Sequence, residues 1–193
     1  MSVTTKPQAR SPVFNLPNQL TIARLVLALV LFGLITWQYW LTSLVVFVVA
    51  AATDWLDGYF ARKYGQVTVL GRILDPFVDK IIICGAFICL VAYPRSGIAG
   101  WMAVVVVGRE LLITALRSFL EQKGADFSAA MSGKLKMVVQ CAAAAVSLFY
   151  LSYPEGTEPV WVQYLLPASV WGALVLTVYS GIEYVRRAVQ LIG

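Results

Sequence analysis

The sequence predicts an all-α membrane protein with six transmembrane helices. Of its 193 residues, 60% are hydrophobic, and the mean hydropathy of +0.77 lies far above that of soluble globular proteins. A membrane-spanning helix needs roughly 20 predominantly apolar residues. The stretches that meet this requirement are, in order, Leu20–Trp37, Leu41–Tyr59, Val67–Tyr93, Ile98–Phe119, Ala129–Tyr150 and Val160–Tyr184. Because the connections are short, we expect a single helical bundle over residues 1–193.

The segment before the first stretch is polar from Met1 to Arg10 and lacks the apolar core and cleavage site of a secretory signal. We therefore expect residues 1–13 to form a cytosolic tail. Residues 14–20 are then either a short interfacial segment broken at Pro17 or a linker. Asn18 is available to cap a first helix that begins near Gln19.

The charge distribution predicts the orientation of the helices. If the N-terminus is cytosolic, six spans return the C-terminus to the cytosol, and all of the fifteen Lys and Arg except Arg95 lie at inner ends. The outer connection Tyr153–Val160 contains Glu155 and Glu158. This bias satisfies the positive-inside rule and predicts an inner, cytoplasmic membrane location. The net charge of +5 is explained by topology and anionic lipid headgroups, so no nucleic-acid partner is expected.

Four aspartates stand in a fixed frame inside the second and third stretches. Asp54 and Asp57 are three residues apart, and Asp75 and Asp79 are four apart, so each pair shares one helix face. The connection over residues 63–70 is long enough to reverse the chain and bring the two faces together. Carboxylates inside a membrane need a counter-charge and face a cavity. We therefore expect a cavity, open to the cytosol, that holds divalent cations.

The residue types predict which ions and which base the site uses. Carboxylate oxygens without imidazole or thiolate favour Mg²⁺ or Mn²⁺, with Ca²⁺ as a further candidate. Two such ions suit displacement at phosphorus. The chain has no histidine, so a general base must be a carboxylate, lysine, tyrosine or cysteine. Cys84, Cys89 and Cys141 lack metal-ligand spacing and are expected to fill apolar space.

An alternative for the four acids is a buried ion-pair network with Arg62, Arg72 and Lys80. The small residues in the frame favour a ligand site instead. Gly58, with Ala61 and Gly71, removes side-chain bulk where a ligand or a neighbouring helix must approach the backbone.

The whole frame reads D-x2-D-G-x2-A-R-x8-G-x3-D-x3-D from Asp54 to Asp79. At every defined position it resembles the signature of the CDP-alcohol phosphotransferases. The resemblance implies six transmembrane helices with cytosolic termini, a short interfacial N-terminal helix and a homodimer.

The resemblance also implies roles for individual residues. Asp54, Asp57, Asp75 and Asp79 would bind two divalent metals at the pyrophosphate of a CDP-linked lipid. Asp79 would also be the general base, deprotonating the acceptor hydroxyl for attack on the lipid-side phosphorus, with CMP leaving. The residues expected close to the pyrophosphate and cytidine are Gly58, Arg62, Thr68 and Gly71.

Basic residues outside the frame suggest that the acceptor is an anion. We expect Arg109, Arg117 and Lys134 to border the cavity and bind it. The alternative for each is snorkelling to anionic headgroups, and Arg117 could instead pack against Glu110. Lys136 lies about 200° from Lys134 around a helix, so we expect Lys136 to snorkel.

Three short strings resemble the members of this family that use glycerol 3-phosphate. They are Leu16–Arg24, then Gly108-Arg109-Glu110 followed by Arg117, then Ser132-Gly133-Lys134-x-Lys136 with Gln140. Met137 departs from the small hydroxyl residue common there. The resemblance implies transfer of a phosphatidyl group from CDP-diacylglycerol to glycerol 3-phosphate, giving phosphatidylglycerophosphate and CMP. Phosphatidylglycerol, giving cardiolipin, and an inositol phosphate stay open as acceptors.

Two other classes of function make different predictions. A cation transporter should place polar residues along the full membrane depth, whereas the outer halves of the spans contain essentially none. A non-catalytic lipid-binding scaffold would tolerate the loss of single acids without losing its role.

Overall fold

The computed structural model describes the backbone of residues 16–64, 69–122 and 131–192. Within these ranges the side chains left undescribed are those of residues 16–18, 20, 54–64, 69–76, 79, 121, 131, 132, 134 and 192. The described residues form six α-helices and no strand, with a short 3-10 helix at Pro94–Ser96. The helices are α1 (Leu16–Thr36), α2 (Trp40–Tyr64), α3 (Val69–Val91), α4 (Gly100–Gln122), α5 (Met131–Leu151) and α6 (Val160–Ile192).

Each of the six predicted stretches corresponds to one helix, which confirms the all-α class. The ends differ by a few residues, most of all at α6, which continues past Tyr184 to Ile192. At the other end of the chain, α1 begins at Leu16, so the predicted break at Pro17 and the cap at Asn18 are wrong. Proline is tolerated there because the first turn of a helix has no use for its backbone N–H. The rest of the predicted interfacial segment, residues 14 and 15, lies outside the described residues.

The apolar length of the helices varies. Among the described residues, the helix over Val160–Leu191 is the one long and apolar enough to cross a membrane by this measure. Shorter apolar segments coincide with parts of four other predicted spans, at Thr21–Thr36, Trp40–Thr53, Lys80–Val91 and Leu135–Leu151. The six-span arrangement therefore stays a prediction.

The helices pack around one main apolar core. α1 lies against α2 and α3, α4 against α3 and α6, and α5 against α2 and α6. The core takes large side chains from several helices, among them Leu31, Phe47, Phe87 and Leu148. Outward positions carry apolar residues as well, Val104, Val138 and Val175 among them. A surface of this kind is expected of helices that face lipid.

One glycine sets the distance between α1 and α3. A Cβ atom on Gly85 would collide with the Phe32 ring, so only glycine lets this ring lie directly against the α3 backbone. The close approach aligns the two helices beside α2, and it thereby helps to position the predicted site on α2 and α3.

The α3–α4 and α5–α6 connections are tied together by a group that we call the Arg95 clamp, consisting of Arg95, Tyr150, Tyr153, Gly156 and Glu158. Arg95 pairs with Glu158 and donates a hydrogen bond to the Tyr153 carbonyl at 3.1 Å. Its guanidinium carbon lies 5.5 Å from the centre of the Tyr150 ring. The second carboxylate oxygen of Glu158 accepts the Gly156 N–H at 2.9 Å. Arg95 and Glu158, both predicted to lie at outer connections, thus meet at one end of the bundle.

Candidate active site

The aspartate frame lies on two adjacent helices. Asp54 and Asp57 are in the C-terminal half of α2, and Asp75 and Asp79 are in the N-terminal half of α3. The two helices contact each other and are separated in the chain by residues 65–68. Helical backbone at all four positions confirms the spacing from which the paired faces were predicted.

The side chains of the frame lie outside the described residues, and so do those of the predicted donor-binding residues. Thr68 falls in the undescribed segment between the helices, and Gly58, Arg62 and Gly71 are described by their backbone alone. Metal ligation by the four aspartates and binding of the cytidine and pyrophosphate therefore stay predictions. The donor set itself, oxygen atoms without imidazole, suits hard divalent cations.

Helix α1 contributes a buried cation beside the two helices of the frame. Arg24 is 1% exposed, and Thr21, one turn earlier on the same face, is equally buried. α1 packs against both α2 and α3. Both residues belong to the string Leu16–Arg24. From the sequence, Arg24 is expected only among the charges at the inner ends, and Thr21 has no predicted role.

A second polar site lies where α4, α5 and α6 meet. We call it the Glu110 cluster, and it consists of Arg109, Glu110, Lys136, Ser180 and Tyr184. The Glu110 carboxylate pairs with Lys136 from α5 and accepts a hydrogen bond from Arg109 Nη1 at 3.2 Å. Arg109 Nη2 donates to Ser180 Oγ of α6 at 3.1 Å, and the guanidinium carbon lies 5.5 Å from the centre of the Tyr184 ring. Arg109, one of the predicted acceptor residues, is thus held by α6 directly and linked to α5 through Glu110.

The prediction that Lys136 snorkels is wrong. Its side chain is only 5% exposed and pairs with Glu110, whose side chain is 10% exposed. Helical geometry alone placed Lys136 away from Lys134 and therefore away from the expected cavity. The carboxylate on α4 reverses that expectation because it supplies a counter-charge inside the bundle, where a lone ammonium could not remain.

Arg109 is also buried, with a side chain 10% exposed. A Cβ atom on Gly181 would lie 3.3 Å from Arg109 Cγ, so the absence of a side chain there gives the arginine room against α6. Its Nε is buried and makes no hydrogen bond within the described part of the chain. Arg109 therefore keeps one donor unused after all its contacts to α4 and α6.

The other two predicted acceptor residues are less fully placed. Arg117 is half-buried on α4, and its Nε likewise has no hydrogen-bond partner among residues 16–64, 69–122 and 131–192. The Glu110 carboxylate pairs with Arg109 and Lys136, and the described residues show no ion pair between Glu110 and Arg117. The backbone of Lys134 lies in α5, and its side chain lies outside the description.

The sequence carries one signal for this cluster. Glu110 is a carboxylate in the middle of a predicted span, and its neighbours one turn away on the helix, Val106 and Thr114, offer no opposite charge. Such a carboxylate predicts a partner on another helix. Ser180 and Tyr184 gave no comparable signal, because their part in the cluster depends on how α6 packs.

The cluster is suited to binding an anion. Among the described side chains, one carboxylate stands against two cations, which gives these three residues a formal charge of +1 in a region nearly closed to water. Among the described residues there is no group of three or more His, Cys, Asp or Glu side chains that could hold a metal. The cluster is a buried group of two cations and one carboxylate.

Known proteins resemble this chain over most of its length. A family model described as CDP-alcohol phosphatidyltransferase matches residues 14–179. A Bacillus subtilis (strain 168) protein named CDP-diacylglycerol–glycerol-3-phosphate 3-phosphatidyltransferase is 33% identical over 196 residues, covering 91% of this chain and 95% of that protein. Proteins of the same name from Shigella flexneri serotype 5b and Escherichia coli K12 are 34% identical over 181 residues, with the same coverage.

Proposed function

Because the chain belongs to the CDP-alcohol phosphatidyltransferase family, we propose that it transfers the phosphatidyl group of CDP-diacylglycerol to glycerol 3-phosphate. The products are phosphatidylglycerophosphate and CMP. The observation that carries this proposal is the likeness to proteins named for that reaction over 91% of the chain. The surplus positive charge of the Glu110 cluster gives independent support, since this acceptor keeps its phosphate throughout the reaction.

In the proposed reaction, Asp79 takes the proton from the acceptor hydroxyl. The oxygen then attacks the phosphorus that carries diacylglycerol, and the bond from that phosphorus to the bridging oxygen of the pyrophosphate breaks, so that CMP leaves. Because the chain lacks histidine, a carboxylate of the frame is well suited to the role of base.

Asp54, Asp57, Asp75 and Asp79 would hold the divalent ions, Mg²⁺ or Mn²⁺. When bound, these ions would neutralise charge on the pyrophosphate. The residues proposed near the pyrophosphate and cytidine are Gly58, Arg62, Thr68 and Gly71, and those proposed for the acceptor are Arg109, Arg117 and Lys134.

The depth of the residues along their helices supports one continuous site. α3 and α4 contact each other and are joined by a short connection. Asp79 lies twelve residues before the end of α3, and Arg109 lies nine residues after the start of α4. If the two helices run in opposite directions, these positions differ by about one helical turn in depth. An acceptor held at Arg109 would then be within a few ångströms of the depth of Asp79.

We propose that all six helices span the inner, cytoplasmic membrane, with both termini and the active site on the cytosolic side, and that the protein is a homodimer. The length of α6, the apolar outward surface and the inner bias of Lys and Arg support the spanning arrangement. The homodimer rests on the family alone.

A panel of acceptors tests the reaction. The purified protein is given CDP-diacylglycerol in mixed micelles with Mg²⁺ or Mn²⁺, and CMP release is measured with glycerol 3-phosphate, inositol 1-phosphate, serine or phosphatidylglycerol. We expect release with glycerol 3-phosphate. Release with phosphatidylglycerol alone would make the product cardiolipin. No release with any acceptor would refute the proposal that the protein transfers a phosphatidyl group.

The base assignment has its own test. We expect Asp79→Asn to lower turnover by a factor of about 10² to 10⁴, because a positioned general base contributes that much. Asp126→Asn is the matched control, since Asp126 is the one aspartate outside the frame. Turnover of Asp79→Asn at the level of the Asp126→Asn control would remove Asp79 from the role.

A further inference from the structure

Glu110 joins two cations that come from different helices. Arg109 is its neighbour on α4, and Lys136 comes from α5. All three side chains are buried, so none can trade its partner for water without a large cost. Moving the carboxylate would therefore break two ion pairs at once, and Glu110 is fixed in place.

The contacts on α6 complete the orientation of Arg109. Nη1 faces Glu110, Nη2 donates to Ser180 and the guanidinium lies by the Tyr184 ring. A planar guanidinium bound at two of its nitrogens and stacked near a ring has little freedom to rotate. The contacts leave Nε without a hydrogen bond among the described residues.

The charges of the cluster do not cancel. A single carboxylate compensates one of the two cations, and no second carboxylate among the described side chains pairs with the other. A buried network of this kind is costly unless a further group completes it. An anion with hydrogen-bond acceptors would complete it, and the phosphate of the proposed acceptor has that chemistry.

We propose that Glu110 is a positioning residue for the acceptor. Held from α5 by Lys136, its carboxylate orients Arg109 so that the guanidinium binds the phosphate of glycerol 3-phosphate. Lys136 is thus an anchor for Glu110. This inference rests on the proposed function, because it assigns the phosphate to a substrate of that reaction.

A purely structural role for Glu110 predicts a different result. Glu110 would then serve only to neutralise Lys136, and its loss would reduce the amount of folded protein without changing how that protein binds its acceptor. The two roles are separated by measuring the KM for each substrate as well as kcat.

The primary test is Glu110→Gln in the full-length protein in CDP-diacylglycerol micelles. We expect the KM for glycerol 3-phosphate to rise roughly tenfold, as for the loss of a charge-assisted contact, while the KM for CDP-diacylglycerol stays unchanged. Glu183→Gln is the matched control, because it makes the same chemical change at the exposed Arg187 pair on α6. We expect no change in that control.

A double variant removes the folding explanation. Glu110→Gln with Lys136→Met takes away the carboxylate and the ammonium it neutralises, so no unpaired lysine stays buried. We expect a higher thermal midpoint than for Glu110→Gln alone, with the KM for glycerol 3-phosphate still raised. If Glu110→Gln does not accumulate in membranes, the double variant provides the acceptor measurement.

The outcomes separate the two proposals. Recovery of the unaltered KM in the double variant would overturn the positioning role, as would an unchanged KM in a folded Glu110→Gln protein. Both results leave the proposed reaction standing, because they are measured as CMP release with glycerol 3-phosphate. If the unaltered protein releases no CMP with this acceptor, the proposed function fails first and the positioning role fails with it.

Discussion

The Arg95 clamp and the Glu110 cluster both use a buried carboxylate to join parts of the chain far apart in sequence, but their charges balance differently. In the clamp, one cation meets one carboxylate, and both carboxylate oxygens are bound. In the Glu110 cluster, one carboxylate meets two cations, and the Nε of Arg109 is left without a hydrogen bond among the described residues. The clamp is complete by itself, whereas we propose that an added anion completes the cluster.

The difference shows how a structural ion pair can be told from a proposed binding site in the same bundle. Burial does not distinguish them, because Glu158 and Glu110 are about equally buried. The partners do. Arg95 is 32% exposed and can be hydrated, while the side chain of Arg109 is 10% exposed and depends on the protein or a ligand for all its contacts. Surplus buried charge therefore supports the proposal that the cluster, and not the clamp, binds a ligand.

The strongest test of this contrast removes one arginine from each region. We expect Arg109→Met to lower kcat/KM for glycerol 3-phosphate by about 100-fold, since a lost contact to a charged ligand costs about 1.5–3 kcal/mol. Arg95→Met should leave kcat/KM unchanged and lower only the thermal midpoint. Equal losses of activity in the two variants would abolish the distinction.

A smaller effect is expected from the backbone at the clamp end. Gly97 has a φ of 72°, and an added Cβ would lie 3.3 Å from Leu166 Cγ. We expect Gly97→Ala to destabilise the fold by about 1–2 kcal/mol, the cost of the left-handed conformation for an L-residue. Gly100→Ala is the matched control, because its Cβ would make an ordinary contact 3.7 Å from Val91. Thermal unfolding in detergent compares the two variants, and equal midpoints would contradict the expected strain at position 97.

The smallest effect is the pH dependence of the clamp. A hydrogen bond from its own backbone N–H and pairing with Arg95 outweigh desolvation and hold the pKa of Glu158 below its ordinary value of 4.5. A lowered carboxyl pKa stabilises the fold above the unfolded value, and this stabilisation is lost as the pH falls through the folded value. We expect Glu158→Gln to lower the thermal midpoint at neutral pH, with a gap to the unaltered protein that narrows below about pH 4. A gap that is constant with pH would exclude the carboxylate as its source.

Much of the fold and the family could be predicted from the sequence. The predicted stretches correspond to the six helices, and the family predicted from the spacing between Asp54 and Asp79 is confirmed by the match over residues 14–179. Both predictions depend on short-range regularities, namely the length of apolar stretches and the spacing of residues on a helix. The start of α1 was predicted three residues late because Pro17 was taken as a break, although its place in the first turn is harmless.

The residues around the predicted acceptor site were harder to predict. The charge of Arg109 and the string Gly108-Arg109-Glu110 predict that it binds the acceptor. Its orientation, however, comes from Ser180 and Tyr184, some seventy residues later in the chain. Lys136 was assigned to the lipid interface because its angle around α5 was compared only with that of Lys134. No property of either string reveals which face of α6 lies opposite α4.

The sequence by itself determined the helices, the aspartate frame and the likeness to a known family. Each of these follows from composition or from spacing within one or two consecutive helices. The tertiary structure decided which charges meet. Glu110, Lys136 and Arg109 form one cluster only because α4, α5 and α6 pack together. The energy of a buried charge depends on the partners within a few ångströms, and those partners come from distant parts of the chain.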